Sequence, residues 1–313
     1  MEFKLNALIF TTVLTSVNVR IAKILLMFLL FQQRLGYESV LKLEDIIVVK
    51  SVKTPIMFHP GYFVFTDEGM FISYPYFGVV MFDHKGNFIK KVFDVSGPIC
   101  VLNNGNLCCY DVINHRLIVV NPKSMQRKHF IVPSEFQRVW HIKGYGKYVY
   151  ISLFYEYKSD KKLPLLLRFD PELEKWEVIL KGDVSESGGL IEIISDGSIL
   201  YLTDKGEIVK ITSDGEKHKF SLLTYGDGYE ILSFVALEKS SKAIIEKYNR
   251  YKDLFKIDIF DLKTFKVKVR DLKIPYKLLL GSDEKDRIYI VIDPAVKLNS
   301  DQNSKIGVFK LRE

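Results

Sequence analysis

The feature that most restricts this chain is a repeat. From Tyr37 onward, short runs rich in Val, Ile, Phe and Tyr recur at hairpin distances. Examples are Phe63-Val64-Phe65, Val79-Val80-Met81-Phe82, Leu117-Ile118-Val119-Val120, Tyr148-Val149-Tyr150-Ile151 and Ile288-Tyr289-Ile290-Val291-Ile292. β-Branched and aromatic side chains suit a pleated, half-buried surface, and the Gly, Asn and Asp between the runs supply turn conformations. Beyond residue 40 no segment carries a long amphipathic helical pattern. Lys239–Arg250 comes nearest, and its Ala243-Ile244-Ile245 core reads equally well as strand.

Each unit reads as strand, Gly-type turn, strand, loop, strand ending in Asp or Asn, turn, fourth strand. Pro60–Phe93 is the first unit and Pro98–Val132 the second. The first-hairpin turns fall near Gly69, Gly105, Gly146, Gly197, Lys242 and Arg287, at intervals of 36 to 51 residues. Four strands in roughly 40–45 residues is the period of a propeller blade. Six such units predict an all-β, six-bladed β-propeller of four-stranded antiparallel blades. The sixth unit stops at Glu313 without a fourth strand, whereas the segment around residues 39–49 precedes unit one with no unit of its own. Pairing that N-terminal strand with the C-terminal blade closes the ring and removes an open sheet edge. A length of 313 residues then means one repeat body, not two domains.

Residues 1–36 are of another kind. Ala7–Val19 is apolar with Thr and Ser, Ile24–Phe31 is an unbroken apolar run, and Arg20 and Lys23 directly precede that run. A basic stretch followed by a short apolar one is the pattern of an export signal, and eight residues are too few for a membrane span, which takes about 20. The expectation is an apolar leader over 1–36, serving as signal peptide or membrane anchor, and a propeller over 37–313. That places the protein outside the cytoplasm, secreted or anchored. The alternative is a buried N-terminal helix of a cytoplasmic protein. A membrane is expected to meet the chain through this segment only.

Units one and two resemble NHL-type propeller repeats. Pro60-Gly61 and Gly69 stand at the expected places in unit one, and unit two carries Pro98, Gly105 and Asp111-Val112-Ile113-Asn114-His115-Arg116-Leu117. The resemblance is motif-specific over about residues 60–120. It implies that the Asp caps the loop between the second and third strands and that the Arg braces a neighbouring blade. Both roles are structural, so the resemblance speaks to fold.

Catalytic motifs are few. There is no Walker loop, Gly-x-Ser-x-Gly, His-Glu-x-x-His or Cys-x-x-Cys. Neither a cofactor nor a metal is expected, and no catalytic residue is assigned. Cys108 and Cys109 are adjacent in a strand and face opposite ways. They are expected as free buried thiols, with a vicinal disulfide between them, or pairing of Cys100 to one of them, as the alternatives. The net charge of +7 falls to about +5 from residue 39 onward and its signs alternate, which argues against nucleic acid.

Loops before each innermost strand face the channel mouth of a propeller. They offer His59, Arg138, His141, Glu192, Tyr229, Glu230 and Tyr276, a mixture of cations, aromatics and two acids. The loops between second and third strands add Tyr74, Tyr76, Tyr155, Tyr157, Arg250 and Tyr251 on the same rim. Tyr and Arg on a shared rim suit a protein, peptide or glycan ligand. The reading is a non-catalytic, monomeric propeller that binds such a ligand through its rim and channel mouth. The alternative is a metal-dependent, lactonase-like hydrolase with a channel site, which needs at least three converging oxygen ligands.

Overall fold

The computed structural model describes residues 40–49, 62–74, 77–154, 159–184, 189–203, 206–221, 228–274, 278–283, 285–293 and 304–312. Leu43–Lys310 form one compact unit. A second unit takes in Met1–Lys42 and Leu311–Glu313, and its described residues are strand ends. The expected leader over 1–36 lies outside the described residues. Among the described residues no helix is long and apolar enough to cross a membrane.

The first strand, β1 (Leu41–Val49), is followed by five complete blades. Blade 1 holds β2 (Phe63–Thr66), β3 (Gly69–Tyr74), β4 (Gly78–Phe82) and β5 (Phe88–Phe93). Blade 2 holds β6 (Ile99–Val101), β7 (Leu107–Asp111), β8 (Arg116–Val120) and β9 (Arg127–Ile131). Blade 3 holds β10 (Val139–Tyr145), β11 (Tyr148–Leu153), β12 (Ser159–Asp170) and β13 (Lys175–Val184). Blade 4 holds β14 (Leu190–Ile193), β15 (Ile199–Leu202), β16 (Glu207–Ile211) and β17 (Lys217–Ser221). Blade 5 holds β18 (Tyr229–Leu237), β19 (Lys242–Asn249), β20 (Leu254–Asp261) and β21 (Val267–Lys273). Blade 6 holds β22 (Leu278–Ser282), β23 (Ile288–Asp293) and β24 (Ser304–Leu311), and its fourth place is taken by β1. Every sheet is a four-stranded antiparallel meander, and the N-terminal strand completes the last one as the repeat count requires.

The Asp or Asn that ends the third strand in blades 1, 2, 3 and 5 has a mechanical role. Asp83 accepts the amides of Lys85 and Asn87, Asn121 those of Lys123 and Ser124, Asp170 those of Glu172 and Leu173, and Asp261 those of Lys263 and Thr264. A side-chain oxygen that accepts the next turn's amides folds the chain back locally, before any tertiary contact forms. At the first hairpin of blade 1, Gly69 holds φ +142°, and a Cβ there would sit 2.1 Å from the Phe82 carbonyl.

Both faces of each blade are apolar, so the core is a set of layers between blades. Phe71, Val79 and Phe93 meet Leu107 and Ile118 between blades 1 and 2. Leu117 and Phe130 meet Ile151 and Phe169 between blades 2 and 3. Ile47 and Val49 of β1 pack with Ile72, Phe82, Tyr289 and Ile306 where the ring closes. Burying one such side chain stabilises the fold by about 1.5–3 kcal/mol, so the closing strand is held by packing as well as by pairing.

Candidate functional site

Antiparallel order fixes two unlike faces. Turns between first and second strands, and between third and fourth, lie on one side, the hairpin face. The remaining connections lie on the other, the loop face. Innermost strands β2, β6, β10, β14, β18 and β22 surround a central cavity of about 220 Å³. Phe65, Val101, Lys143, Glu192, Ser233 and Ser282 are among its wall residues, one from each blade.

The channel acids and bases named from sequence have a specific task here. His141 on β10 is buried and its Nδ1 accepts the amide of Ile191, on the inner strand of blade 4, at 3.2 Å. That bond needs a bare Nδ1 and leaves the ring proton on Nε2. Glu192 on β14 pairs with Lys143 of blade 3 at 2.8 Å, and the Ala236 backbone of blade 5 also helps hold its carboxyl down. Burial raises the Glu192 carboxyl above its ordinary range, while Lys143 pulls it back. In blade 1, Ser73 accepts the Gly97 amide at 2.9 Å; in blade 5, Glu246 accepts the Leu279 amide at 2.9 Å. An inner strand has no neighbour on its channel side, and a buried amide without an acceptor is costly. These side chains supply acceptors from the preceding blade.

This arrangement corrects the placement of two residues. Glu192 belongs to an inner strand, one residue before that strand ends at the hairpin, so it lies toward the hairpin face and not at the loop-face mouth. Tyr74 is fully buried on β3, packed beside Phe77 and Phe82, and presents nothing to the rim. Sequence reasoning missed Lys143 and Glu246. The spacing His141-x-Lys143 was a usable signal, because alternate strand residues share a face. An acid closing the apolar run Ala243-Ile244-Ile245 was another. Among the described residues no three His, Cys, Asp or Glu side chains gather in a group able to hold a metal ion.

On the loop face, blade 5 gathers Tyr229, Glu230, Arg250 and Tyr251. Tyr229 and Glu230 begin β18 opposite Asn249 and Tyr248 of β19. The buried Asn249 side chain accepts the amides of Tyr251 (3.1 Å) and Lys252 (3.0 Å), which fixes the turn. Tyr251 stands 79% exposed at its tip, with its ring against Gly228. Arg250 pairs with Glu230, and the Tyr248 ring lies tilted against Phe255 with centroids 4.7 Å apart. Lys247 and Lys256 lie 5.7 and 5.0 Å from the Tyr229 ring, and both pair with Asp271. Arg138 is exposed on the same face, at the entry to β10. His59, Tyr76, Tyr155, Tyr157 and Tyr276 lie outside the described residues.

In blade 2, Asp111 accepts the amides of Ile113 and Asn114, the Asn114 side chain and Arg116 Nε. The Asp therefore caps its loop, as the resemblance implies. Arg116 bonds Asp111 of its own blade at 3.0 Å, where a brace to the next blade was expected.

No family model matches the sequence, and no curated protein matches it. Solved structures do. A protein of unknown function from Bacteroides thetaiotaomicron aligns at 12% identity over 87% of this chain and 76% of its own, with a TM-score of 0.56. A catalytically inactive virginiamycin B lyase from Staphylococcus aureus, with quinupristin, aligns at 12% identity over 80% of each chain, with a TM-score of 0.53. The RRP9 WD40 repeats align at 11% identity over 87% of this chain and all of theirs, with a TM-score of 0.52. The chain shares the β-propeller fold with these proteins. At such identity the likeness speaks for fold alone.

Proposed function

We propose that this chain is a non-catalytic binding protein that takes a protein, peptide or glycan ligand on its loop face, with blade 5 as the anchor. One observation carries the reading: Tyr251 is exposed on a turn held rigid by the buried Asn249 side chain. A turn whose backbone is already hydrogen-bonded in place loses less freedom on binding than a loose one, and Tyr with Arg is the composition of binding hot spots. The flanking Tyr248, Arg250 and Lys252 extend the patch with hydrogen-bonding and cationic groups. The Asp111 loop supports an NHL-like reading of blades 1 and 2. The basic and apolar pattern of residues 1–36 supports export or anchoring.

The test is a binding comparison of full-length wild type with the Tyr251→Ala, Arg250→Ala double variant. A photo-crosslinker on the loop face of blade 5, used in the native host, identifies polypeptide ligands, and a glycan array covers sugars. Loss of at least tenfold in affinity for the captured ligand supports the reading. A ligand that maps to the hairpin face, or that binds the double variant equally well, overturns it. Mass spectrometry of the native N-terminus tests export, and an intact Met1 in a soluble cytoplasmic fraction refutes that part.

A further inference from the structure

All three thiols of this chain lie in blade 2, and two of them face each other. Cys100 on β6 and Cys108 on β7 are directly opposed in the antiparallel register. Leu102 N–H donates to Asn106 O, and Tyr110 N–H donates to Pro98 O. Hydrogen-bonded and non-bonded pairs alternate along such a ladder, so Cys100 and Cys108 form a hydrogen-bonded pair. The Cα atoms of such a pair lie about 5.5 Å apart, within the span of about 4.4–6.8 Å that a disulfide bridges. Both side chains enter the same layer against blade 3, beside Leu102, Ile142 and Ile151. Cys109 points the opposite way, into the layer against blade 1 with Phe71 and Ile118.

We propose that Cys100 and Cys108 are a redox pair that closes to a cross-strand disulfide by exchange with a small-molecule disulfide, while Cys109 takes no part. The Cys100 thiolate attacks one sulfur of the external disulfide and expels one external thiol, leaving a mixed disulfide on the protein. The Cys108 thiolate then attacks the Cys100 sulfur of that mixed disulfide, forms the Cys100–Cys108 bond and expels the second. Two protein thiols and one external disulfide become one protein disulfide and two external thiols, which carry off the two protons. The bridge is of the labile kind. A hydrogen-bonded pair holds its side chains farther apart than a non-bonded pair, and a bridge drawn across it is strained and readily reduced. It is also slow to form, because contact with Cys100 and burial push the Cys108 thiol up and keep it protonated. Exchange therefore proceeds when β6 opens, and at three residues β6 is the shortest inner strand. Cys100 is a wall residue of the central cavity, so the bridge pins that wall of the channel to the second strand of its blade.

The experiment uses the full-length native protein and oxidised glutathione, read by intact mass and by peptide mapping without reductant. The wild type is expected to lose the mass of two hydrogens and to yield a Cys100–Cys108 linked peptide, both reversed by dithiothreitol. Cys109→Ala should behave identically. Cys100→Ala should keep its hydrogens or stop at one glutathione adduct on Cys108. The proposal is overturned if the folded protein keeps three free thiols under conditions that oxidise its unfolded form. A link through Cys109, or a bridge that dithiothreitol fails to reduce, overturns it equally. Should Cys100→Ala not fold, the wild-type and Cys109→Ala maps decide alone.

Discussion

On the hairpin face, polar groups bond across blade boundaries all the way round; on the loop face, blade 5 turns a tyrosine and an arginine to solvent. The hairpin-face circuit can be followed blade by blade. Lys123 reaches Glu68 at 2.8 Å between blades 2 and 1, and Asn103 and Gly146 bond reciprocally between blades 2 and 3. Tyr145 donates to the Ser195 carbonyl at 2.9 Å between blades 3 and 4, and the Ser195 side chain helps hold the Glu238 carboxyl down across blades 4 and 5. Asp286 accepts the amides of Lys239 and Ser240 between blades 6 and 5, and Lys285 lies 3.8 Å from Asp67 between blades 6 and 1. A face whose polar groups already have partners holds the ring together. A face with an exposed aromatic on a hydrogen-bonded turn is the one proposed to take a ligand. The same β-turn chemistry builds both, and the difference lies in where the side chains find acceptors.

The largest expected effect tests whether the loop face is structural anywhere. Asp111→Ala removes the acceptor for two amides, an Asn side chain and Arg116, and should cost ~2–4 kcal/mol in urea unfolding. A loss under ~0.5 kcal/mol would mean that blade 2's loop is held by other contacts.

Glu246, fully buried between blades 5 and 6, belongs to neither face. Burial raises its carboxyl to about 8, partly offset by the Leu279 amide. Its folded-state value lies above its ordinary one, so folding holds the proton. Stability is therefore complete below the ordinary carboxylate range and falls as pH rises through about 8. Glu246→Gln keeps the amide acceptor and should flatten that decline, with a gain on the order of 1–3 kcal/mol at pH 9. Identical melting curves for both proteins from pH 6 to 9 would refute the assignment.

Asp286→Ala opens the hairpin-face circuit at one link and should cost ~1–2 kcal/mol, since two exposed amides lose their acceptor to water. Unchanged stability would show that the circuit follows from blade packing and adds nothing to it. Tyr251→Ala is the smallest effect on folding, within ~0.5 kcal/mol, because an exposed side chain with few contacts adds little. A larger loss in thermal unfolding would move Tyr251 from the ligand side of the comparison to the structural side.

Blade number, strand order and ring closure were legible because each depends on short-range patterns. The Asx turns at Asp83, Asn121, Asp170 and Asp261 and the recurring apolar runs mark every strand locally. The candidate site was legible in part. Tyr229, Glu230, Arg250 and Tyr251 do gather on one face, since topology alone sends their loops to the same side. Tyr74 and Glu192 stand elsewhere than expected, because a residue near a strand end changes role with a shift of one or two positions. Bulges add to this: the register of β18 on β19 slips between Ile231 and Ser233 and sets which side chains face blade 6.

The sequence by itself therefore determined the repeat, the fold it builds and the strand that completes it, because periodicity and turn chemistry act between near neighbours in the chain. Only the tertiary structure decided which polar side chains are drawn between blades. The acceptor for the Ile191 amide is His141 and the acceptor for the Leu279 amide is Glu246, and each pair meets only across a boundary between two blades. A buried amide takes whichever acceptor the neighbouring blade brings within reach, and that reach is a property of the assembled ring.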